Sequence, residues 1–164
     1  MDVVTLIVEV FKFIFPAYCA NAAPVLAGGG VPMDFGKNFL DGKRVFGRNK
    51  TFNGFFFGLT IGIVAGSVEV VLFGYPLLFV ALSPLGALLG DLAGAFLKRR
   101  LNIPPGGLLP VVDQVDFVVG ALVFSLPLAI VTLPLAVAVL LITPPIHLLT
   151  NFAAYRLKLK SNPW

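Results

Sequence analysis

Apolar positions in this chain run in long unbroken blocks. They show neither the alternation of a strand nor the one-sided stripe of a soluble helix. A helix that crosses a bilayer needs about 20 mostly apolar residues, and the blocks have that length. The first is predicted over residues 3–23, with Pro16 as a kink and with Glu9 and Lys12 three apart as a self-neutralising pair. The second is predicted over 52–73 and the third over 77–97. Between Phe117 and Tyr155 there is no Asp, Glu, Lys or Arg. As one helix that stretch would be about 58 Å long against a hydrocarbon core of about 30 Å, so it must turn back. The turn is expected around Pro127 to Pro134. This gives a fourth span over 108–129 and a fifth over 134–155, kinked at Pro144-Pro145. Glycine recurs every fourth residue in two spans, at Gly54, Gly58, Gly62 and Gly66 and at Gly86, Gly90 and Gly94. Such faces let helix backbones approach closely and are read as packing seams.

Composition changes the solvent. The 164 residues are 58% hydrophobic and 12% charged, whereas a soluble domain carries about 25% charged residues. So few charges cannot cover a water-soluble surface. The expected fold is an all-α integral membrane protein, one transmembrane domain over residues 1–164 with about five helices. The first apolar block has no basic segment before it, and no A-x-A cleavage site followed by a soluble mature domain appears, so it is expected to remain as a span. Cys19 is the only cysteine, which excludes an internal disulfide.

Charge then gives orientation. Lys37, Lys43, Arg44, Arg48 and Lys50 lie between the first two spans. Lys98, Arg99 and Arg100 follow the third, and Arg156, Lys158 and Lys160 follow the fifth. With five spans all three regions fall on one side, and the two other connections carry no charge. By the positive-inside rule the basic side is cytoplasmic, with the N-terminus outside and the C-terminus inside. Two polar cytoplasmic loops result, about 31–51 and 98–107.

The basic loop mixes cations with glycines, as a phosphate-binding loop requires. Gly42 to Asn49 misses the P-loop pattern, because Arg48 and Asn49 stand where Lys and Ser or Thr belong and no strand precedes them. The acids are more informative. Asp91 lies seven residues before Lys98, about 10 Å from that end of its helix. Asp113 is expected six residues into the fourth span, about 9 Å deep. Asp113 and Asp116 share a helix face. Each charge costs about 2.5–3.5 kcal/mol at a helix centre, so the three must face the interior and meet cations. Two partners fit: Lys98, Arg99 or Arg100 as ion pairs, or a divalent metal. Mg²⁺ takes hard oxygen ligands and completes its shell with water and phosphate. Pro104-Pro105-Gly106-Gly107 leads into the fourth helix, whose N-terminus favours an anion.

Gly90-Asp91, Lys98-Arg99, Pro105-Gly106-Gly107 and Asp113-Gln114-Val115-Asp116 together resemble the signature of the membrane CTP:phosphatidate cytidylyltransferases. In that signature a basic pair precedes a Pro/Gly/His/Gly/Gly turn and then Asp-Arg-x-Asp. Here the turn lacks histidine, Gln114 replaces arginine and the final spacing is longer. Length and span count are more similar to the archaeal branch of that family, the CDP-archaeol synthases. That resemblance takes in Asn21-Ala22-Ala23-Pro24 and Asp41-Gly42-Lys43-Arg44 as well. It implies Mg²⁺-dependent transfer of CMP from CTP to 2,3-bis-geranylgeranyl-glycerol 1-phosphate, giving CDP-archaeol and pyrophosphate. On this expectation Asp91, Asp113 and Asp116 hold Mg²⁺. Lys98 and Arg99 hold phosphates beside them. Lys37, Lys43, Arg44 and Lys50 close over the triphosphate, Gly106 and Gly107 approach a phosphate, and Asn21 hydrogen-bonds the nucleotide or a metal-bound water. The partners are then CTP and a lipid from the bilayer, with no nucleic acid.

Two other classes share some of these features. Intramembrane acids on glycine-rich helices also mark ion pathways, but no internal repeat of the transporter kind is present. Asp41-Gly42 resembles the start of the CDP-alcohol phosphotransferase motif, but the Ala-Arg and the acids four apart that follow it there are missing. A purely structural subunit leaves the acids unexplained. His147 and Asn151, four apart, are read as an interhelical hydrogen bond, with a second small site as the alternative.

Overall fold

The structure, a computed structural model, describes residues 2–27, 29–160 and 162–163. The described residues contain no strand. Helix α1 (Val3–Ala22) is followed by one turn, α2 (Pro24–Ala27). Then come α3 (Phe52–Phe73), α4 (Phe79–Arg100), α5 (Val112–Ser125) with a 3-10 turn at Leu126–Leu128, and α6 (Leu133–Arg156). The helices start at side-chain caps where the sequence supplies an acceptor. Asp2 accepts from the Thr5 amide at 2.9 Å and Thr51 from the Gly54 amide at 3.2 Å. Helix α3 stops at Gly74, whose φ of +71° lets its amide reach back to the last carbonyls.

Four of these elements are long and apolar enough to cross a membrane: 3–27, α3, α4 and α6. The fifth, α5, is shorter. It begins at Val112, four residues after the expected start at Leu108, because residues 104–110 form turns and extended chain. With its 3-10 extension it reaches about 26 Å at 1.5 Å per residue. Asp113 therefore lies in the first turn of its helix, and the expected depth of about 9 Å below that end is corrected.

The glycine rows are packing seams, as expected. A Cβ on Gly58 would meet the Ala20 carbonyl at 2.6 Å, and one on Gly62 would meet Pro84 at 2.3 Å. The α4–α5 seam is equally close: Gly86 would clash with the Gly120 carbonyl at 2.4 Å and Gly90 with the Asp116 carbonyl at 2.2 Å. These contacts pull α4 into the centre of the bundle, between α3 and α5. Phe13, Phe79 and Phe117 are fully buried around it. Helix α6 packs more loosely, and Leu141, Leu149 and Phe152 face outward. Tyr18 of α1 donates its hydroxyl to the Thr143 carbonyl of α6 at 3.0 Å, tying the first and last spans together.

Candidate functional site

The basic loop is built around one acid. Asp34 is 5% exposed and accepts from the Gly36, Phe46 and Gly47 amides and from the Arg44 guanidinium. Burial alone would raise its carboxyl. Arg44 and the three amides overcome that and hold it well below the usual carboxylate range. Gly36, Gly42 and Gly47 all take positive φ, which winds the loop tightly enough for these donors to converge. The loop is stapled to the end of α4. Lys43 Nζ donates to the Arg100 carbonyl at 2.8 Å, and Arg100 returns bonds to the Lys43 and Arg44 carbonyls at 3.2 and 2.7 Å. Arg100 also pairs with Asp41 at 3.0 Å.

Between loop and helix lies a cavity of about 260 Å³, lined by Lys43, Arg44, Gly47, Arg99, Asn102 and Ile103 with Pro105. Arg99 is 8% exposed, and its Nε is buried without a hydrogen-bond partner. Its guanidinium lies directly beneath Gly47, where a Cβ would stand 3.1 Å from Nη1. A buried cation with an unmet donor, beside a cavity with two more cations, favours an anion.

The three acids lie on α4 and α5, and Asp113 is the one in the field of Arg99. Lys50, one residue before the α3 cap, reaches Asp91 at 2.5 Å. Burial pulls its ammonium down, but Asp91, with Asp116 and Asp113, holds it above the ordinary lysine range. Lys98 reaches Asp113 and the Gly107 carbonyl, each at 2.9 Å. The α5 N-terminus is thus filled by its own anion, because Asp113 also accepts from the Leu109 amide at 2.9 Å. Val111 precedes it at φ +67°, a strained position for a β-branched residue. The buried Gln114 takes the Val111 amide at 2.7 Å and so holds that turn. Asp116 faces the α4 seam; a Cβ on Gly94 would stand 2.0 Å from its Oδ2.

Asp91, Asp113 and Asp116 therefore belong to one electrostatic group together with Lys50. As they stand, no three acid, His or Cys side chains among the described residues converge as a ready metal cage. The pairing with Lys98 matches the ion-pair reading, and Lys50 is a partner for Asp91 that the sequence did not suggest. Lys37 is exposed on the outer turn of the loop and away from the acids, and Asn21 is half-buried in the last turn of α1. Gly107 contributes a carbonyl that holds Lys98, while its amide bonds the Pro104 carbonyl at 2.8 Å. Gly106 takes φ +84° and accepts from Asn162 at 3.3 Å.

The bundle and its charged end define a class, a polytopic helical membrane enzyme with its polar machinery at one end of the spans. The sequence model of the CarS-like family, CDP-archaeol synthase, matches residues 3–164. A CDP-archaeol synthase of Pyrococcus furiosus is 46% identical, covering 96% of this chain and 98% of the relative. One of Methanococcus aeolicus is 39% identical over the whole of both chains. A solved structure of an intramembrane enzyme for archaeal membrane lipid biosynthesis is similar at a TM-score of 0.82 and 39% identity, covering 88% of this chain and 94% of that one. The chain belongs to the CDP-archaeol synthase family, whose members are CTP-dependent cytidylyltransferases acting on a lipid phosphate.

Proposed function

We propose that this chain transfers CMP from CTP to an archaeal isoprenoid glycerol phosphate, with Mg²⁺ and at the cytoplasmic face of the membrane, releasing pyrophosphate. The observation that carries the reading is Arg99, a buried guanidinium with an unmet donor beside a basic cavity and in the field of Asp113. In the reaction an oxygen of the lipid phosphate bonds to the α-phosphorus of CTP. The bond from that phosphorus to the oxygen bridging to the β-phosphate breaks, and pyrophosphate leaves with the electron pair. The nucleophile is already an anion, so the protein needs no strong base; it must position two anions and neutralise charge.

Arg99 and Lys43 bind the triphosphate in the cavity. Arg44, engaged by Asp34, shapes the loop and adds positive field. Lys98, braced by Gly107 and Asp113, meets the phosphate nearest the acids. Asp91, Asp113 and Asp116 supply hard oxygen donors of the kind a cation sharing its shell with phosphate takes, but they do not converge on one point as they stand. These residues would hold Mg²⁺, which when bound neutralises charge on the phosphates. Lys50 and Lys98 neutralise the same acids without it. Eleven of the twelve cations lie on this side, and the positive-inside rule makes it cytoplasmic.

The test uses purified protein in detergent with CTP, Mg²⁺ and either the geranylgeranyl glycerol phosphate or phosphatidic acid. A cytidine-containing lipid with stoichiometric pyrophosphate, formed faster from the isoprenoid substrate, is expected. Equal rates with both would overturn the archaeal substrate class. No product from folded protein with intact CTP would overturn the reaction.

A further inference from the structure

The chain beyond α6 folds back toward the site. Leu157 and Leu159 donate to the Ala153 and Ala154 carbonyls at 3.0 and 2.9 Å, and Lys158 turns the chain with φ +61°. Lys160 Nζ then donates to Asn151 Oδ1 at 2.8 Å. The other end of that amide faces His147, with Nδ2 at 3.1 and 3.2 Å from the two ring nitrogens. His147 in turn lies against Phe117 of α5, ring centroids 5.7 Å apart. The Asn162 bond to the Gly106 carbonyl ties the tail to the turn that enters α5. Lys160 thereby lies in the field of Lys50, Asp91, Lys98 and Asp113. Burial, and then Lys50, pull its ammonium below the ordinary lysine range.

A second cavity, shallow and open to the surface, of about 460 Å³, is formed by one run of the tail: Tyr155, Arg156, Lys158, Leu159 and Lys160. Its lining is three cations with a leucine and a tyrosine. It shares no residue with the cavity beneath Gly47. It sits where α6, the most outward-facing span, leaves the apolar region, with Leu149 68% and Phe152 49% exposed nearby. A ligand reaching it along α6 would bring an apolar chain and an anionic head.

We propose that this cavity binds the phosphate monoester of the lipid substrate, with Lys160 as the residue that holds the phosphate and Asn151 and His147 as positioning residues. The proposal deepens the cytidylyltransferase reading and rests on it: the nucleophile and the nucleotide enter through separate basic cavities that share no lining residue. An ammonium suits this role as a point charge for a compact dianion. Asn151 turns its oxygen to the ammonium because its amide nitrogen faces the imidazole, so Lys160 is aimed before substrate arrives.

The test compares wild type, Lys160→Ala, Lys160→Arg and Asn151→Ala as full chains in detergent. Retention of a labelled isoprenoid glycerol phosphate is measured against the same lipid as its neutral alcohol, and initial rates are measured with each substrate varied. For Lys160→Ala, phosphate-dependent retention is expected to fall about tenfold or more, the worth of a lost charge-assisted hydrogen bond, with KM for the lipid phosphate rising in step. KM for CTP and the thermal midpoint should stay close to wild type. Lys160→Arg should recover most of the retention and Asn151→Ala should fall between. Unchanged lipid retention, or lipid and CTP terms rising together, would overturn the proposal. A wild type that forms no cytidine lipid, yet retains the lipid phosphate through Lys160, would remove the reaction and leave the site.

Discussion

Both ends of this bundle place lysine and carboxylate inside a helical protein, and they differ in what surrounds the charges. At the end near Tyr75, Lys12 lies 2.8 Å from Glu9 and 4.6 Å from the Phe73 ring centroid, and the Tyr75 hydroxyl donates to the same carboxylate at 3.3 Å. That group is closed on itself, among helices and one tight turn. At the other end Lys50 and Lys98 meet Asp91 and Asp113 in much the same way. There, however, cations outnumber acids, the loop winds through glycines at positive φ, and two cavities open beside the pairs. Paired charge inside a membrane protein is first a packing requirement. An excess of one sign beside an opening is what makes it a place for a ligand.

The largest contrast between the ends should appear in Asp116→Asn against Glu69→Gln. Single-turnover rates are expected to fall about 100- to 1,000-fold in the first, as for loss of one preorganised charge-stabilising group. In the second they should stay within about twofold of wild type, because Glu69, though buried, lies at the far end. Near-normal turnover in Asp116→Asn would remove that carboxylate from the metal assignment. Arg99→Ala comes next. Its KM for CTP should rise about tenfold or more, the value of a charge-assisted hydrogen bond. Arg99→Lys should recover part of that, and Lys12→Met should leave KM for CTP alone.

Gly94→Ala and Gly66→Ala separate packing from chemistry. Their Cβ atoms would meet Asp116 Oδ2 at 2.0 Å and Val80 Cα at 2.9 Å. Both should lower stability in detergent by about 1–3 kcal/mol, the usual cost of overpacking. Only Gly94→Ala should also slow turnover in the protein that remains folded. The smallest effect concerns Asp34. Its carboxyl titrates lower in the fold than in the unfolded chain, so the folded state binds fewer protons. The stability it contributes is complete above the ordinary value of 3.8 and is lost as pH falls through that value towards the depressed one. A thermal midpoint that drops between pH 5 and pH 3 in wild type should drop less in Asp34→Asn, which starts lower.

The spans were legible because lipid demands uninterrupted apolar length, and the glycine rows because helical spacing puts them on one face. The side bearing the cations followed from counting. The start of α5 was not legible: Leu108, Leu109 and Pro110 read as the apolar first turn of a helix, and the turn that they form instead depends on Val111 at positive φ and on Gln114, which reads in sequence only as a departure from a signature. Asp34 was passed over because its three amide donors and Arg44 converge only once the loop has wound. Lys50 and Asp91 are far apart in the chain, so their pairing required the α3–α4 packing. The grouping of Asp91, Asp113 and Asp116 could be inferred from helix phase and from the order of the spans, although Asp113 lies nearer its helix end than the expected depth. The tail could not be placed from sequence, since nothing local to Lys160 says that it turns back onto Asn151.

CTP labelled at either the α- or the γ-phosphate tests nucleotidyl transfer at the charged end most directly. With lipid phosphate and Mg²⁺, the α label should enter the organic phase and the γ label should appear wholly in pyrophosphate, each at the same rate and each lost in Asp116→Asn. A γ label found in lipid, or an α label that stays in water while lipid phosphate and CTP remain available to folded protein, would contradict it.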